Sequence, residues 1–268
     1  MDADILFVHG MWSQPWVWDN WKKRFESRGH HCVALTLPGH RPRDPDTALE
    51  RLGIEDYVSA VEQQARQYPA PVLIGHSLGG LIVQQVATRM RLSAAVLVNT
   101  AVPAPLFPLR PIMLPGLARH FMRWGLWRSS FRLAEWEASH LLFNALPKPE
   151  RRACHRRLIA ESGRVAYQVG FGPLNLAGSN CVDRAAILCP MLALCGAKDH
   201  IIPAGVSRRM AAWYGARLEY REYAEHAHWM LGEPGWVQRA DEVMAWLALC
   251  RARSIVEERQ RALARKTG

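Results

Sequence analysis

The sequence predicts an α/β chain: a doubly wound, mainly parallel sheet of about six strands, carrying an inserted helical cap. Three observations predict it. Short apolar runs alternate with longer amphipathic ones, the pattern of parallel strands joined by helical crossovers. One stretch of about 80 residues, from Pro103 to about Ala185, contains no strand-like run. That stretch opens on a proline-rich hinge, with Pro103, Pro105, Pro108, Pro111 and Pro115, and then turns helical and rich in Trp and Arg.

In chain order the predicted strands are Ile5–Val8, Cys32–Leu37, Val72–Ile74, Ala94–Asn99, Pro190–Cys195 and Arg217–Tyr223. Each is a brief apolar or β-branched run bounded by turn residues. Between them lie predicted helices at Pro15–Arg28, Ile54–Gln67, Gly80–Arg91, Ala204–Tyr214 and Gly235–Arg251. Right-handed crossovers would lay these helices on both faces of the sheet. The gap is too long for a structureless loop in a compact domain, so it is assigned as four cap helices at Leu117–Trp127, Phe131–Phe143, Glu150–Glu161 and Arg164–Phe171. The organisation expected is therefore a core formed by residues 1–102 and 186–250, a cap over 103–185 and a basic helical tail over 251–268.

Composition bounds the function. The chain has 268 residues, 49% of them hydrophobic and 22% charged, enough to bury a full core. Acids occupy Met1–Asp4 where a secretory leader carries Lys or Arg, and Ile5–Val8 is too short for a leader core. No apolar stretch approaches the ~20 residues needed to cross a bilayer. A soluble cytoplasmic protein is expected. Six cysteines fall into no C-x-x-C pair and no zinc-type spacing, so neither a disulfide framework nor a metal site is expected. The net charge of +10 is concentrated: +7 between Pro103 and Ala185, +4 from Arg251 to Gly268, and −1 in the remainder. The basic cap has three readings: steering of anionic substrates, attraction to an anionic membrane surface, or a solvated face. No nucleic-acid-binding motif accompanies it, so nucleic acid is not expected as a partner.

The strongest local signal is Gly75-His76-Ser77-Leu78-Gly79-Gly80, a G-x-S-x-G motif between the run Val72-Leu73-Ile74 and an amphipathic helix. A strand-to-helix turn that sharp strains its central residue, and glycines two positions away remove the side chains that would collide. Ser77 is then raised above the carboxyl edge of the sheet at a helix N-terminus, where free N–H groups favour developing negative charge. A serine nucleophile needs a base, and the base an orienting acid. Leu192–Gly196 runs into a turn bearing Asp199, and the last strand leads into a loop holding both His226 and His228.

This ordered set resembles the α/β-hydrolase family. Val8-His9-Gly10-Met11-Trp12, the Ser77 elbow, the Asp199 turn and the histidine loop occur in the family's order, and Thr36-Leu37-Pro38-Gly39-His40 is similar to the loop after an early core strand. The insertion after Val102 falls at the family's cap position, whereas the antiparallel strands that open larger members are missing. The resemblance implies Ser77 as nucleophile, Asp199 as orienting acid and His228 as base, because His228 has the expected spacing to Glu233-Pro234. His226 is the competing base. The resemblance also implies an oxyanion hole from the Met11 and Leu78 amides, with no metal or organic cofactor. Trp12, His76 and Trp229 flank these motifs and are the expected substrate-binding residues. The cap aromatics Trp124, Trp127, Phe131, Trp136 and Phe143 either bind an apolar substrate part or pack the cap onto the core.

The expected activity is hydrolysis of a small-molecule carboxylic ester with a hydrophobic acyl or alcohol part, through an acyl-enzyme. A lysophospholipid-like ester would join the basic charge to the aromatics. Rival readings are another reaction on the same fold (hydroxynitrile lyase, C–C hydrolase, perhydrolase or thioesterase) or a receptor-like binder without catalysis. The sequence leaves the oligomeric state open.

Overall fold

In the computed structural model, which describes residues 4–171 and 177–267, six parallel strands form one sheet: β1 (Asp4–Val8), β2 (His31–Leu35), β3 (Val72–His76), β4 (Ala94–Val98), β7 (Met191–Gly196) and β8 (Leu218–Tyr223). Expectations that touch residues 1–3, residues 172–176 and Gly268 lie outside the described residues. The spatial order is β2-β1-β3-β4-β7-β8. All six predicted strands are present, each within two residues of its expected ends. The central strands β3, β4 and β7 are buried along their whole length, and β1 is buried from Ile5. Burial on both faces is why these strands read as unbroken apolar runs rather than alternating ones.

Helices cover both faces. On one, α1 (Asp19–Glu26) packs against α9 (Trp236–Thr267). On the other lie α2 (Ile54–Ala65), α3 (Leu78–Ala87) and α8 (Ala204–Tyr214), with the Tyr214 hydroxyl donating to Gln84 Oε1 at 2.8 Å to link α8 to α3. The sequence logic is plain in α2. Its buried residues Ile54, Tyr57, Val58, Val61 and Ala65 recur at helical spacing, and Asp56 caps the start by accepting the Gly53 N–H at 2.7 Å. In α9 the stripe Ala240, Val243, Trp246 and Leu247 is buried, but from Arg251 to Val256 every side chain is exposed and the helix runs on without a partner.

Between β4 and β7 the chain forms α4 (Leu114–Phe121), α5 (Glu135–Leu141), α6 (Lys148–His155) and α7 (Gly163–Gly170). Four helices were expected here, but the first three are shorter and shifted. Gly125 adopts φ +80°, which ends the first helical stretch well before Trp127. Phe131 and Glu161, expected inside helices, instead belong to a two-stranded antiparallel ribbon, β5 (Ser130–Phe131) and β6 (Glu161–Ser162). Two-residue strands are too short for an alternating pattern, and Glu161 is a charged residue with no exposure at all.

The chain enters β1 in the middle of the sheet, moves outward to β2, and returns to β3 on the other side of β1. The loops leaving β1 and β3 therefore diverge and open a crevice at the carboxyl edge of the sheet. In open α/β sheets such a crevice is where ligands bind.

Candidate active site

Every residue singled out above lies on a loop leaving the carboxyl end of a core strand. Three non-glycine residues among those described have positive φ, and all three are here: Trp12 after β1 (φ +58°), Ser77 after β3 (φ +55°) and Asn99 after β4 (φ +44°). Backbone strain of this kind is held only where surrounding contacts over-determine it.

Ser77 is held on both sides. Its N–H donates to the Val98 carbonyl at 3.0 Å, and its own carbonyl accepts from Gly80 N at 3.0 Å and Ala101 N at 2.9 Å. The glycines explain the tightness of the turn. A Cβ on Gly75 would lie 2.3 Å from the Gly79 oxygen, and one on Gly79 would lie 2.2 Å from the Val8 oxygen. Gly10 likewise meets Ser77, where a Cβ would stand 2.8 Å from the serine Cβ. The β1 loop thus presses against the Ser77 turn and brings Met11 beside it.

Met11, Trp12, Ser77 and Leu78 line one cavity of about 50 Å³. The amides of Met11 and Leu78 make no hydrogen bond among the described residues, the state expected of donors reserved for a ligand. The remaining wall is apolar and comes largely from the insertion: Leu109, Met113, Leu117, Phe121, Phe131 and Val169. A second, narrower space of about 10 Å³ joins Ser77 to His228, with Met11, Trp12, His76 and Trp229 around it. The Ser77 hydroxyl and the His228 imidazole share this space, with no hydrogen bond between them among the described residues. Such bonds often close only around substrate. A wider, open depression of about 740 Å³ lies on the outer side of α5 and α6, lined by polar residues such as Lys148 and Arg151, and Ser77 is not part of it.

His228 Nδ1 donates to Asp199 Oδ2 at 2.7 Å, and both residues are almost completely buried. The other Asp199 oxygen accepts the Ile201 and Ile202 amides, each at 2.8 Å, so this carboxylate is fixed from both sides. His226 faces elsewhere. Its Nδ1 meets Glu233 Oε2 at 3.0 Å, and Glu233 also accepts the Ala227 and Trp229 amides at 2.8 and 3.1 Å. Glu233 therefore braces the loop from both sides of His228, which gives physical content to the His-to-Glu-Pro spacing.

The other candidates divide. His76 is buried and its Nε2 donates to the His228 carbonyl at 2.9 Å, while Trp229 packs edge-on against Phe143 at 5.0 Å. His9 donates from Nδ1 to the Gly10 carbonyl at 3.0 Å and accepts the Leu37 amide on Nε2 at 3.3 Å. Burial, aided by nearby His40, pushes the His9 pKa down to about 3, and burial with His228 beside it does the same to His76. Both rings are neutral shaping elements of the loops.

Three contributors escaped sequence reasoning. Asn99 donates to the carbonyls of Ala227 and His228 at 2.8 and 2.9 Å and accepts the Gly196 amide at 2.7 Å, tying the histidine loop to β7. Glu161 accepts the Trp12 amide at 3.3 Å, His40 Nε2 at 3.2 Å, and the Tyr57 hydroxyl and Ser162 amide at 2.7 Å each. His40 Nδ1 also meets an acceptor, the Pro38 carbonyl at 2.9 Å, so both ring nitrogens donate and the ring is an imidazolium paired with Glu161. Burial opposes that charge, but Glu161 outweighs it and the His40 pKa is raised. Third, His120 on α4 lines the larger cavity, with Nε2 donating to buried Glu137 at 3.1 Å. Only the flanking Pro38-Gly39-His40 loop hinted at any of the three.

A model of the "Alpha/beta hydrolase family" matches residues 5–241. The chain belongs to the α/β hydrolase family. Curated members similar to it include a pyrethroid hydrolase of Sphingobium wenxiniae, 28% identical over 117 residues, which are 42% of this chain and 41% of the relative. A carbendazim-hydrolyzing esterase of a Nocardioides species is 26% identical over 121 residues, 42% of this chain and 49% of that protein. These matches thus span less than half the length of either relative. Among solved structures, a methylesterase from Arabidopsis superposes with a TM-score of 0.67 at 14% identity, covering 94% of this chain and 99% of the other. That likeness carries the α/β-hydrolase fold.

Proposed function

We propose that this α/β hydrolase is a serine esterase in which Ser77 attacks the carbonyl of a small-molecule carboxylic ester. His228 takes the serine proton, and Asp199 orients the ring and stabilises the imidazolium. The oxyanion forms against the Met11 and Leu78 amides, each such donor lowering the barrier by on the order of 3 kcal/mol. The alcohol leaves with a proton from His228; water, deprotonated by the same ring, then releases the acid and restores Ser77. The observation that carries the reading is the His228–Asp199 bond of 2.7 Å, aimed into the same small space as a positive-φ serine. The curated relatives' names, a hydrolase and an esterase, agree with it.

The insertion acts as a cap that selects the substrate. Its side chains give the cavity an apolar wall with His120 as the polar exception, and the space beside Ser77 as it stands admits only a short acyl or alcohol group. Longer apolar groups require α4 to shift outward. Trp12, His76 and Trp229 act around the narrower space, His76 by holding the His228 carbonyl. The reaction needs no metal or organic cofactor in this scheme.

Labelling with a fluorophosphonate probe, followed by an ester chain-length panel, tests the proposal. Wild type is expected to be labelled at Ser77 and to turn over short esters fastest, with Ser77→Ala and His228→Ala losing at least a thousandfold in kcat. His226→Ala is expected to retain activity in a less stable protein. Activity lost in His226→Ala and kept in His228→Ala would reverse the assignment of the base. Labelling with no ester turned over would refute the esterase reading.

A further inference from the structure

The segment that walls the Ser77 cavity from the outside has a second face, and that face is unlike the rest of the surface. Large hydrophobic side chains stand out along it: Phe107 at 39% exposure, Ile112 at 41%, Leu114 at 55%, Met122 at 78% and Trp124 at 90%. Leu114, Ala118 and Met122 follow one another at four-residue spacing, so they form a stripe along α4, and Trp124 continues it just past the helix end. The inner face of the same helix carries Leu117, His120 and Phe121 into the cavity beside Ser77. Two turns of helix therefore separate the catalytic space from an apolar stripe in solvent. Burying so much apolar surface is favourable, and a monomer gains nothing by leaving it exposed.

Charge says what covers it. From Pro103 to Ala134 the sequence contains Arg110, Arg119, Arg123, Arg128 and Arg132 and no Asp or Glu. Arg119 and Arg132 are paired to Glu137 and Asp46, while Arg110, Arg123 and Arg128 meet no carboxylate among the described residues. A second copy of the chain docked here by a two-fold axis would set these arginines against their own kind. An anionic surface would neutralise them. Exposed Trp and Met ringed by unpaired arginines is the composition that settles at the headgroup boundary of a bilayer.

We propose that the α4 face of the insertion is an interfacial docking surface for anionic lipid bilayers, with Met122 and Trp124 entering the headgroup region and Arg110, Arg123 and Arg128 meeting lipid phosphates. Docking would place the apolar wall of the Ser77 cavity directly against the bilayer, so that apolar substrates dissolved there reach the site without crossing water. The proposal stands on surface composition and exposure and holds whether or not Ser77 hydrolyses esters.

Co-sedimentation of the full chain with vesicles of phosphatidylcholine alone, or with phosphatidylglycerol added, tests it. Wild type is expected to partition onto the anionic vesicles and hardly at all onto the neutral ones, and the binding should weaken as salt is raised. Reversing both Arg123 and Arg128 to Glu should weaken partitioning by about thirtyfold or more. M122S combined with W124S should weaken it at least tenfold while leaving the melting temperature unchanged, since neither side chain is packed. The matched control is R251E with R253E on the exposed part of α9, which should bind as wild type does. No binding to anionic vesicles overturns the proposal. So does binding that survives the α4 variants and is lost in the α9 control. Concentration-dependent dimerisation abolished by M122S/W124S, without vesicle binding, would assign the stripe to a second copy instead.

Discussion

Replacing Glu161 by Gln is the most informative single perturbation of the core. The carboxylate has no exposure and four donors converge on it: Tyr57 and Ser162 on one oxygen, His40 and the Trp12 amide on the other. Glutamine keeps an acceptor for the first pair but points an N–H group at the second. The His40 imidazolium then loses its counter-charge in a site without water, and the Trp12 amide loses its acceptor. Removing one member of a buried ion pair costs about 3–5 kcal/mol, and partial neutralisation of the ring puts the expectation near the lower figure, about 3 kcal/mol. In a chain of this size that lowers the melting temperature by roughly 6–12 °C. The loss should depend on pH with a definite sign. His40 has a folded-state pKa raised above its unfolded value, so its contribution is complete below about pH 6.5 and is lost as pH rises through the raised value. Thermal and urea unfolding of wild type, Glu161→Gln, His40→Ala and the double variant, at pH 6 and pH 9, measures both effects. A melting temperature within about 2 °C of wild type at pH 6, with no coupling in the double-mutant cycle, would refute the reasoning.

Other outcomes follow from the same geometry. Gly79→Ala places a Cβ 2.2 Å from the Val8 oxygen, so the variant should lose more than about 4 kcal/mol or fail to accumulate, as read by soluble yield and urea midpoint. Asn99→Ala removes three hydrogen bonds that hold the His228 loop. It should slow fluorophosphonate labelling of Ser77 by at least tenfold, and a labelling rate equal to wild type would exclude the positioning role. His9 and His76 are held neutral, with pKa values lowered to about 3, and so their contribution to stability is complete above about pH 6.5 and drains away as pH falls toward 3. Urea midpoints should accordingly drop across that range, and neither ring should titrate by NMR above pH 4.

The six strands were legible because burial on both faces writes itself into sequence as unbroken apolar runs, as in Ala94–Val98. The elbow was legible because Gly75 and Gly79 are demanded by sterics that act over four residues. What stayed hidden acts over long separations. Nothing near Glu161 announces that its partners are Trp12, His40 and Tyr57, 104 to 149 residues away. Asn99 looks like the ordinary end of a strand until β7 and the histidine loop close around it. In the insertion, the expected helices overran because Phe131 and Glu161 sit in strands too short to have a period. Trp124 is the reverse case: an aromatic that composition assigns to packing or to substrate stands 90% exposed.

The reach of Glu161 also orders events in time. The turn that presents the Met11 amide is braced by a side chain 149 positions further along, on a ribbon that exists only once the insertion has closed. Contacts of such separation form late, after the loop-closure entropy of the intervening chain has been overcome. The sheet can assemble around β1, β3 and β4 while the turn beside Ser77 is still unbraced. A nascent or refolding chain would regain its far-ultraviolet signal before its reactivity toward a fluorophosphonate. The chain would thus carry its own delay, in which the last contact made is the one that arms the serine.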